Sequence, residues 1–488
     1  MRLTELIENG ITVRLDTTHS ELDIRGLTAD SRKVKPGYLF AALAGARQDG
    51  HAFIAEALAR GAVAVLAGHE NARDLVGIPL VTAANPRRAL ARMAARFHGA
   101  QPRHIAAVTG TNGKTSTVAF ARQIWTRLGH LAASLGTLGV QAPGWQVEHG
   151  LTTPDPVALH ETLARLAGEG VDRAAMEASS HGLDQFRLDG VAVTVAAFTN
   201  LTRDHLDYHG TMDAYRAAKL RLFAELAARG GTAVVNADVA EAGAFLEAAA
   251  ARGLDLIDYG RHARALRLIA REPRPDGQGL VIEWRGARHA ILLPLVAEFQ
   301  AYNALCAAGI VIASGEEPDR VFDALAALEG VPGRVERAAT LACGAAIYID
   351  YAHTPDALEN ILRALRPHAR GRLLVVFGCG GDRDAGKRPI MGEIAARLAD
   401  LAVVTDDNPR GENPAAIRAE VMARCPGAQN IGSRAAAIDW AVRQLEAGDV
   451  LVIAGKGHER TQTIGDALLP FDDGACARAA VARAEGRV

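Results

Sequence analysis

Val108-Thr-Gly-Thr-Asn-Gly-Lys-Thr-Ser-Thr117 decides how this chain is read, and it directly continues the apolar run His104-Ile-Ala-Ala-Val108. The run has strand character, the glycines and Asn112 make a tight loop, and Thr115 to Leu128 has helical spacing. A strand, a glycine-rich loop and a helix start aim backbone N–H groups and the positive helix end at one point, which suits phosphate. Gly110, Thr111, Asn112, Gly113, Lys114, Thr115 and Ser116 are therefore candidate contacts to a nucleoside triphosphate. Lys114 can reach the terminal phosphates, and the Thr115 hydroxyl can hold magnesium. The general P-loop pattern has a glycine where Val108 stands. The bland alternative is a glycine turn at a strand–helix junction; the Gly113-Lys-Thr115 ending favours the nucleotide.

Outward from this loop, the chain of 488 residues suffices for about three domains. It is 49% hydrophobic and 23% charged, an ordinary globular mixture. A formal charge of −2 and the lack of a basic stripe speak against nucleic acid as a partner. The basic cluster from Arg261 to Arg274 is interleaved with apolar residues and reads as solvated surface. No apolar run approaches the ~18 residues of a membrane span. Met1-Arg-Leu-Thr-Glu-Leu-Ile-Glu8 is amphipathic and acidic, unlike a secretory signal. The five cysteines, 306, 343, 379, 425 and 476, have no paired spacing, which fits a reducing cytoplasm.

Breaks at Gly99-Ala-Gln-Pro-Arg103 and Pro332-Gly-Arg-Val335 divide the chain into 1–100, 101–332 and 333–488. The first part alternates short apolar strands with alanine-rich helices. In the second, the P-loop strand is followed by Ala174-Ala-Met-Glu177, Val195-Ala-Ala-Phe-Thr-Asn200 and Thr232-Ala-Val-Val-Asn236. Strands alternating with helices predict an α/β fold with a mostly parallel sheet. In the third, Leu373-Leu-Val-Val-Phe377, Leu401-Ala-Val-Val-Thr405 and Val450-Leu-Val-Ile-Ala454 read as buried strands of a doubly wound domain. Ligands gather at the carboxyl ends of such strands. Glu177, Asn200 to His209, Cys379 to Lys387, Asp406 to Arg410 and Gly455 to Glu459 all fall there. An extended active site is expected rather than one small pocket.

Further motifs join the loop. They are Leu151-Thr-Thr-Pro154, Met176-Glu-Ala-Ser-Ser-His-Gly-Leu183, Thr199-Asn-Leu-Thr-Arg-Asp-His-Leu-Asp-Tyr-His209 and Tyr215-Arg-Ala-Ala-Lys219. Then come Pro332-Gly-Arg334, Asp350-Tyr-Ala-His353, Gly380-Gly-Asp-Arg-Asp384, Asp407-Asn-Pro-Arg410 and Gly455-Lys-Gly-His-Glu459. In this order, and over nearly the whole chain, they resemble the Mur ligases of peptidoglycan synthesis, in particular the branch that adds diaminopimelate. The resemblance implies three domains: an N-terminal one for the UDP end, a central P-loop-type ATPase, and a Rossmann-like C-terminal one for the amino acid. It implies a monomer acting on small molecules: ATP, a UDP-N-acetylmuramoyl dipeptide and meso-diaminopimelate. ATP phosphorylates the dipeptide carboxylate, and an amine attacks the resulting acyl phosphate.

The resemblance also assigns residues. Glu177, His205 and Lys219 correspond to catalytic positions together with Lys114. With Thr115 they form the magnesium set, Lys219 as its carbamate (N6-carboxylysine). Taken alone, Glu177 reads as a salt-bridged strand-end carboxylate, His205 as a capping or core histidine, and Lys219 as a solvated helix charge. Asn303, Arg334, Asp350 and His353 resemble nucleotide contacts. Gln300 stands where the family often has asparagine. Ser31, Asn112, Thr152, Thr153, Ser179, Gln185 and Arg187 resemble contacts to the UDP-muramoyl dipeptide, whereas Ala46-Arg-Gln48 departs from a His-Gln-Ala common in related ligases. Arg388, Asp407, Asn408, Pro409, Arg410, Gly455 and Glu459 match the diaminopimelate pocket, although Asp-Asn-Pro-Arg alone could be a plain turn. Ser180 and His181 are adjacent, and read as strand residues they point to opposite faces, which disfavours a nucleophile–base pair. Sister enzymes adding lysine, D-alanyl-D-alanine or folate glutamates share the ATPase core, and a nucleotide-binding switch protein is the rival from another class.

Overall fold

The structure is a computed structural model and describes residues 1–7, 11–14, 22–45, 49–69, 79–147 and 151–486. Two compact units form, one from Met1–Arg264 with Cys306–Glu317 and the other from Ala265–Leu305 with Pro318–Val488.

The first unit contains two sheets. β1 (Ile11–Arg14), β2 (Gly26–Thr28), β3 (Tyr38–Ala41), β4 (Ala62–Gly68) and β5 (Leu80–Ala83) make a five-stranded sheet in the order β1-β5-β4-β3-β2. Only β1 runs antiparallel to its neighbour. Helix α1 (Pro86–His98) follows; Asn85 caps it by accepting from the Arg88 N–H, and proline takes its first position. The second sheet is built on β6 (His104–Thr109), whose six residues run into the glycine loop and α2 (Lys114–Arg127). Around β6 lie β7 (Ala132–Gly136), β8 (Gly139–Ala142), β9 (Trp145–Val147), β10 (Arg173–Glu177), β11 (Val193–Phe198), β12 (Thr232–Asn236) and β13 (Asp255–Gly260), in the order β9-β8-β7-β10-β6-β11-β12-β13. From β7 to β13 the pairing is parallel. β6 is thus central, and its carboxyl end lies between those of β10 and β11. Two further helices matter for the site: the short α3 (Ser180–Asp184) and α4 (Met212–Arg221).

The two sheets of this unit are joined by a charged seam. Arg88 of α1 pairs with Asp189 at 2.8 Å and Glu225 at 3.3 Å, and Arg221 of α4 meets the other oxygen of Asp189 at 2.8 Å. Asp189 is almost wholly buried there, so both guanidiniums serve to compensate one desolvated carboxylate.

The alternation read between His104 and Val331 fails at two places: β7, β8 and β9 follow one another as antiparallel strands without a helix between them, and a second such run comes later. β14 (Leu266–Arg274), β15 (Gly277–Trp284) and β16 (Ala287–Leu293) are antiparallel and belong to the second unit. The reason is legible afterwards. Leu266 and Leu268 are buried while Arg267 is exposed, the period-two alternation of a one-sided sheet. The basic cluster from Arg261 to Arg274 largely supplies the outward positions. Helix α5 (Glu298–Ala313) carries Gln300 and Asn303.

The rest of the second unit is a six-stranded sheet of β17 (Arg334–Thr340), β18 (Ala346–Asp350), β19 (Leu373–Phe377), β20 (Leu401–Val404), β21 (Gln429–Asn430) and β22 (Val450–Ala454), ordered β17-β18-β22-β19-β20-β21. All pairs but β17–β18 are parallel. β19 and β22 are buried throughout, which is why they read as unbroken apolar runs. Helices α6 (Lys387–Leu398) and α7 (Arg434–Arg443) flank the sheet, and β23 (Thr461–Ile464) and β24 (Ala467–Pro470) form a hairpin beyond β22. The doubly wound reading of this part holds.

Candidate active site

At the end of β6 the loop is held before any ligand is considered. The Thr111 N–H donates to the Asn200 carbonyl at 2.9 Å, and the Asn112 N–H donates to Asn200 Oδ1 at 2.9 Å. Thr199 Oγ1 donates to the Asn112 carbonyl at 2.6 Å. Gly110 has φ +150°, and a Cβ there would lie 1.9 Å from Thr199 Oγ1. Only glycine lets these two segments approach so closely. Lys114 Nζ donates to the Gly110 and Thr111 carbonyls at 2.9 and 2.8 Å, which poises its ammonium over the loop. Thr115 and Ser116, at the start of α2, are nearly buried.

Lys219 is not a solvated helix charge. Its side chain is 1% exposed, and Nζ donates to the same Gly110 carbonyl at 2.8 Å. The ring of Tyr215, one helical turn away, lies 4.5 Å from that nitrogen. Burial first, and then the nearby Lys114 charge, hold the Lys219 amine well below the usual lysine range.

Glu177 closes β10 with its carboxylate buried, accepting from the Thr137 N–H at 2.8 Å and the Thr137 hydroxyl at 3.3 Å. Its neighbours there are neutral donors, not the cation of a salt bridge. His205 does sit at a helix start, with φ +51°, but its ring is half exposed, edge-on to His181 at 4.9 Å and 3.5 Å from Asp204 Oδ2. Among the described residues no three His, Cys, Asp or Glu side chains converge as a ready metal site.

Of the residues assigned to the dipeptide ligand, Thr152, Thr153, Ser179, Gln185 and Arg187 form one network that runs through Thr137 and Glu177. Thr152 Oγ1 meets Thr137 Oγ1 at 3.2 Å, and Thr153 Oγ1 meets Ser179 Oγ at 3.0 Å. Arg187 donates to the Thr153 carbonyl and to Gln185 Oε1, both at 2.7 Å, and Gln185 donates to the Tyr208 hydroxyl at 3.1 Å. Ser179 caps α3 through the Gly182 N–H. Ser180 and His181 therefore sit in a helix, not a strand as the sequence suggested. They still diverge: the Ser180 hydroxyl is buried, while the His181 ring packs on Tyr208 at 4.1 Å. Ser31 donates to Glu56 at 3.0 Å. Ala46, Arg47 and Gln48 lie outside the described residues.

In the second unit, Asn303 donates to Gln300 Oε1 at 2.9 Å, and Gln300 donates to the Arg334 carbonyl at 2.9 Å. The longer amide at 300 thus spans from helix α5 to the start of β17. The Arg334 guanidinium lies 5.1 Å over the Tyr351 ring. Asp350 accepts from the Val335 and Ala352 N–H groups at 3.0 and 2.9 Å, and burial pushes its carboxyl up to about 6. His353 contacts the Tyr351 carbonyl through Nδ1 at 2.8 Å.

The ends of β19, β20 and β22 gather the remaining group. Asn408 donates to Glu459 at 3.1 Å, and Arg410 donates to the Gly381 carbonyl at 2.8 Å. Gly455, with φ +122°, leaves room for Asp407, whose Oδ2 would lie 2.7 Å from a Cβ there. Pro409 lies in the loop between Asn408 and Arg410, and its carbonyl accepts from the Glu412 N–H at 3.1 Å. Arg388 is 2% exposed and held by Glu412 at 2.8 Å and Glu420 at 3.1 Å, and it reaches the Gly380 carbonyl at 3.4 Å.

The sequence matches three family models in this same order: "Mur ligase family, catalytic domain" over 23–98, "Mur ligase middle domain" over 108–311, and "Mur ligase, glutamate ligase domain" over 333–457. The chain belongs to the Mur ligase family. As a Mur ligase it is an ATP-dependent acid–amino-acid ligase of peptidoglycan synthesis. It is 54% identical over 488 residues to the UDP-N-acetylmuramoyl-L-alanyl-D-glutamate--2,6-diaminopimelate ligase of Bradyrhizobium diazoefficiens, covering 99% of each chain. The ligase of the same name from Caulobacter vibrioides is 54% identical over 456 residues, 92% of this chain and 94% of that one. A solved structure of a ligase with this name superimposes with a TM-score of 0.76 at 32% identity over 99% of both chains. The MurF ligase of Thermotoga maritima in complex with ADP shares the fold at a TM-score of 0.63 and 18% identity, over 95% of this chain and 99% of that one.

Sequence reading missed several Mur ligase side chains that this geometry brings to the site. Tyr215 bridges Thr111 and Lys219, with its hydroxyl 3.1 Å from Thr111 Oγ1. Thr137 engages Glu177. Lys456 lies fully buried between Asn408, Asp407 and Glu459. Its signal was present, since a lysine between two glycines at a strand end is an unusual place to leave a charge.

Proposed function

We propose that this chain joins meso-diaminopimelate to the D-glutamate carboxylate of UDP-N-acetylmuramoyl-L-alanyl-D-glutamate, converting ATP to ADP and phosphate. The observation that carries the reading is the placement of Asp407 and Arg410 in the loop after β20 and of Glu459 in the loop after β22, with Asn408 joining the two loops through its hydrogen bond to Glu459. The far head of diaminopimelate bears both a carboxylate and an ammonium. Arg410 offers a bidentate fork to the first, and the two acidic residues suit the second. The 54% identity to a ligase named for this reaction supports it.

The γ-phosphoryl group passes to the dipeptide carboxylate, releasing ADP. The amine of diaminopimelate then attacks the acyl carbon, and phosphate leaves the tetrahedral intermediate. The first step brings two anions together, so positioned cations dominate its catalysis. Lys114 and the 110–116 backbone hold the phosphates. Asn303, Arg334, Asp350 and His353 take the rest of the nucleotide. Ser31, Asn112, Thr152, Thr153, Ser179, Gln185 and Arg187 orient the UDP-muramoyl dipeptide. Thr115, Glu177, His205 and Lys219 would hold magnesium. A buried Glu177 with only neutral donors and a buried Lys219 amine both fit that role, the amine once carbon dioxide has made it a carbamate. Magnesium supplies charge neutralisation between the approaching anions.

In this reading residues 1–100 hold the UDP end, 101–332 the ATP, and 333–488 the amino acid. The enzyme acts as a monomer in the cytoplasm on small molecules alone, without nucleic acid or membrane. No helix among the described residues is long and apolar enough to cross a membrane. The test is mass spectrometry of the product formed from ATP, the dipeptide substrate and an equimolar mixture of diaminopimelate and lysine. A product carrying diaminopimelate is expected. One carrying only lysine, or ATP hydrolysis without product, overturns the proposal.

A further inference from the structure

We infer that Lys456 is a specificity-determining residue: its buried ammonium sets the net charge of the amino-acid pocket so that a zwitterionic head is preferred over a simple ammonium. The inference rests on the proposed function above.

Lys456 Nζ lies 3.0 Å from Asn408 Oδ1, 3.7 Å from Asp407 Oδ1 and 3.5 Å from Glu459 Oε2. Its side chain is 0% exposed, against 9% for Asp407 and 36% for Glu459. The lysine is therefore the floor of the pocket, and Glu459 is nearest the mouth. A charge this deep is stable only when matched.

The lysine acts on the pocket in two ways. The first is orientation. Asn408 Oδ1 receives both the Lys456 ammonium and the Thr463 N–H at 3.0 Å each. With its oxygen fixed by two donors, the amide must turn its NH₂ to Glu459, as observed at 3.1 Å. The second is charge. Asp407 and Glu459 bring two negative charges, and Lys456 cancels one of them. Arg434, the other buried cation near Asp407, is already spent on Asp473 through two contacts of 2.7 Å. What remains is one negative charge for a ligand ammonium, with Arg410, in the same loop as Asp407 and Asn408, for a ligand carboxylate. Without Lys456 the pocket would carry an extra negative charge, which attracts an ammonium and repels a carboxylate. Lysine, having no carboxylate at that end, would lose least.

The experiment is kcat/KM for diaminopimelate and for lysine, measured separately on wild type and Lys456→Met, with the KM for ATP followed alongside. A unit charge within several ångströms in a partly buried site shifts binding by about tenfold or more. The diaminopimelate-to-lysine ratio is expected to fall by about that factor, with the KM for ATP within a few fold of wild type. Lys456→Arg, which keeps the charge, is expected to keep the ratio. Equal losses on both amino acids in Lys456→Met mark a merely structural lysine and overturn the inference, as does an unchanged ratio. Should Lys456→Met fail to fold, Lys456→Gln, which retains a donor for Asn408 without the charge, gives the same reading. A wild type that adds no diaminopimelate overturns the proposed function itself, a result distinct from either of these.

Discussion

Lys219 and Lys456 are the same residue, 1% and 0% exposed, at two ends of the chemistry, and their surroundings are opposite. Lys219 faces a backbone carbonyl, an aromatic ring and a second lysine. Lys456 faces an amide and two carboxylates. Burial alone penalises both ammoniums by the same physics. The neighbours differ in the sign of their charge. A buried lysine beside another cation is driven toward the neutral amine, which is the nucleophilic form that carbon dioxide can capture. A buried lysine among carboxylates lies where opposite charge surrounds it. Residue type and burial do not determine function; the sign of the local field does.

That contrast can be broken experimentally, and the largest effect is expected at Lys114. Lys114→Ala removes the phosphate clamp and also the cation that, after burial, helps hold the Lys219 amine down. ATP turnover is expected to drop by about 10³-fold or more while the melting temperature holds. Turnover within a few fold of wild type would sink the nucleotide assignment. Lys219→Ala comes next, with a loss of roughly 10²-fold or more in ligation, the usual scale for an electrostatic catalytic group. Intact-mass measurement in bicarbonate is expected to show one added carbon dioxide on wild type and none on the variant. An unmodified wild type with a fully active variant refutes the carbamate.

At the other pole of the comparison, Arg410→Ala is expected to narrow the preference for diaminopimelate over lysine by about 10²-fold, because a charge-assisted pair is lost with one substrate only. Equal losses on both would show that Arg410 shapes the loop and does not read the ligand. The smallest effect concerns Gln300, which has neither pole's charge. Gln300→Ala frees Asn303 from its acceptor and is expected to raise the KM for ATP by several fold, the worth of about 1 kcal/mol of hydrogen bonding. Amino-acid selectivity in Gln300→Ala is expected to stay at the wild-type value.

Much of this was legible in the sequence for a physical reason. The glycine loop after β6 and the apolar runs of β19, β20 and β22 are local signals: close backbone approach and two-sided burial leave marks in adjacent residues. The antiparallel β14–β16 were harder, since their period-two pattern is masked by arginines. The helix at Ser180 was misread because its five residues are too few to show a period. Lys219 and Lys456 define the other limit. The glycines around Lys456 mark an unusual place for a charge, but nothing near Lys219 does, and the partners of both come from long-range packing. Gly110 is 109 positions from Lys219, and Asn408 is 48 from Lys456.

The segment Cys306–Glu317 belongs to the first unit although 41 residues of the second, 265–305, precede it. It supplies the Ser314 hydroxyl that accepts from the buried Trp125 indole at 2.9 Å, and the Glu316 carboxylate that meets His130 at 2.7 Å. A nascent chain that has emerged only to Arg264 therefore leaves Trp125 without its partner. At about 5–20 residues per second, the wait for residue 317 lasts a few seconds. During synthesis this nucleotide-binding core is open for longer than a small domain needs to fold, and that interval is when a chaperone has most to protect.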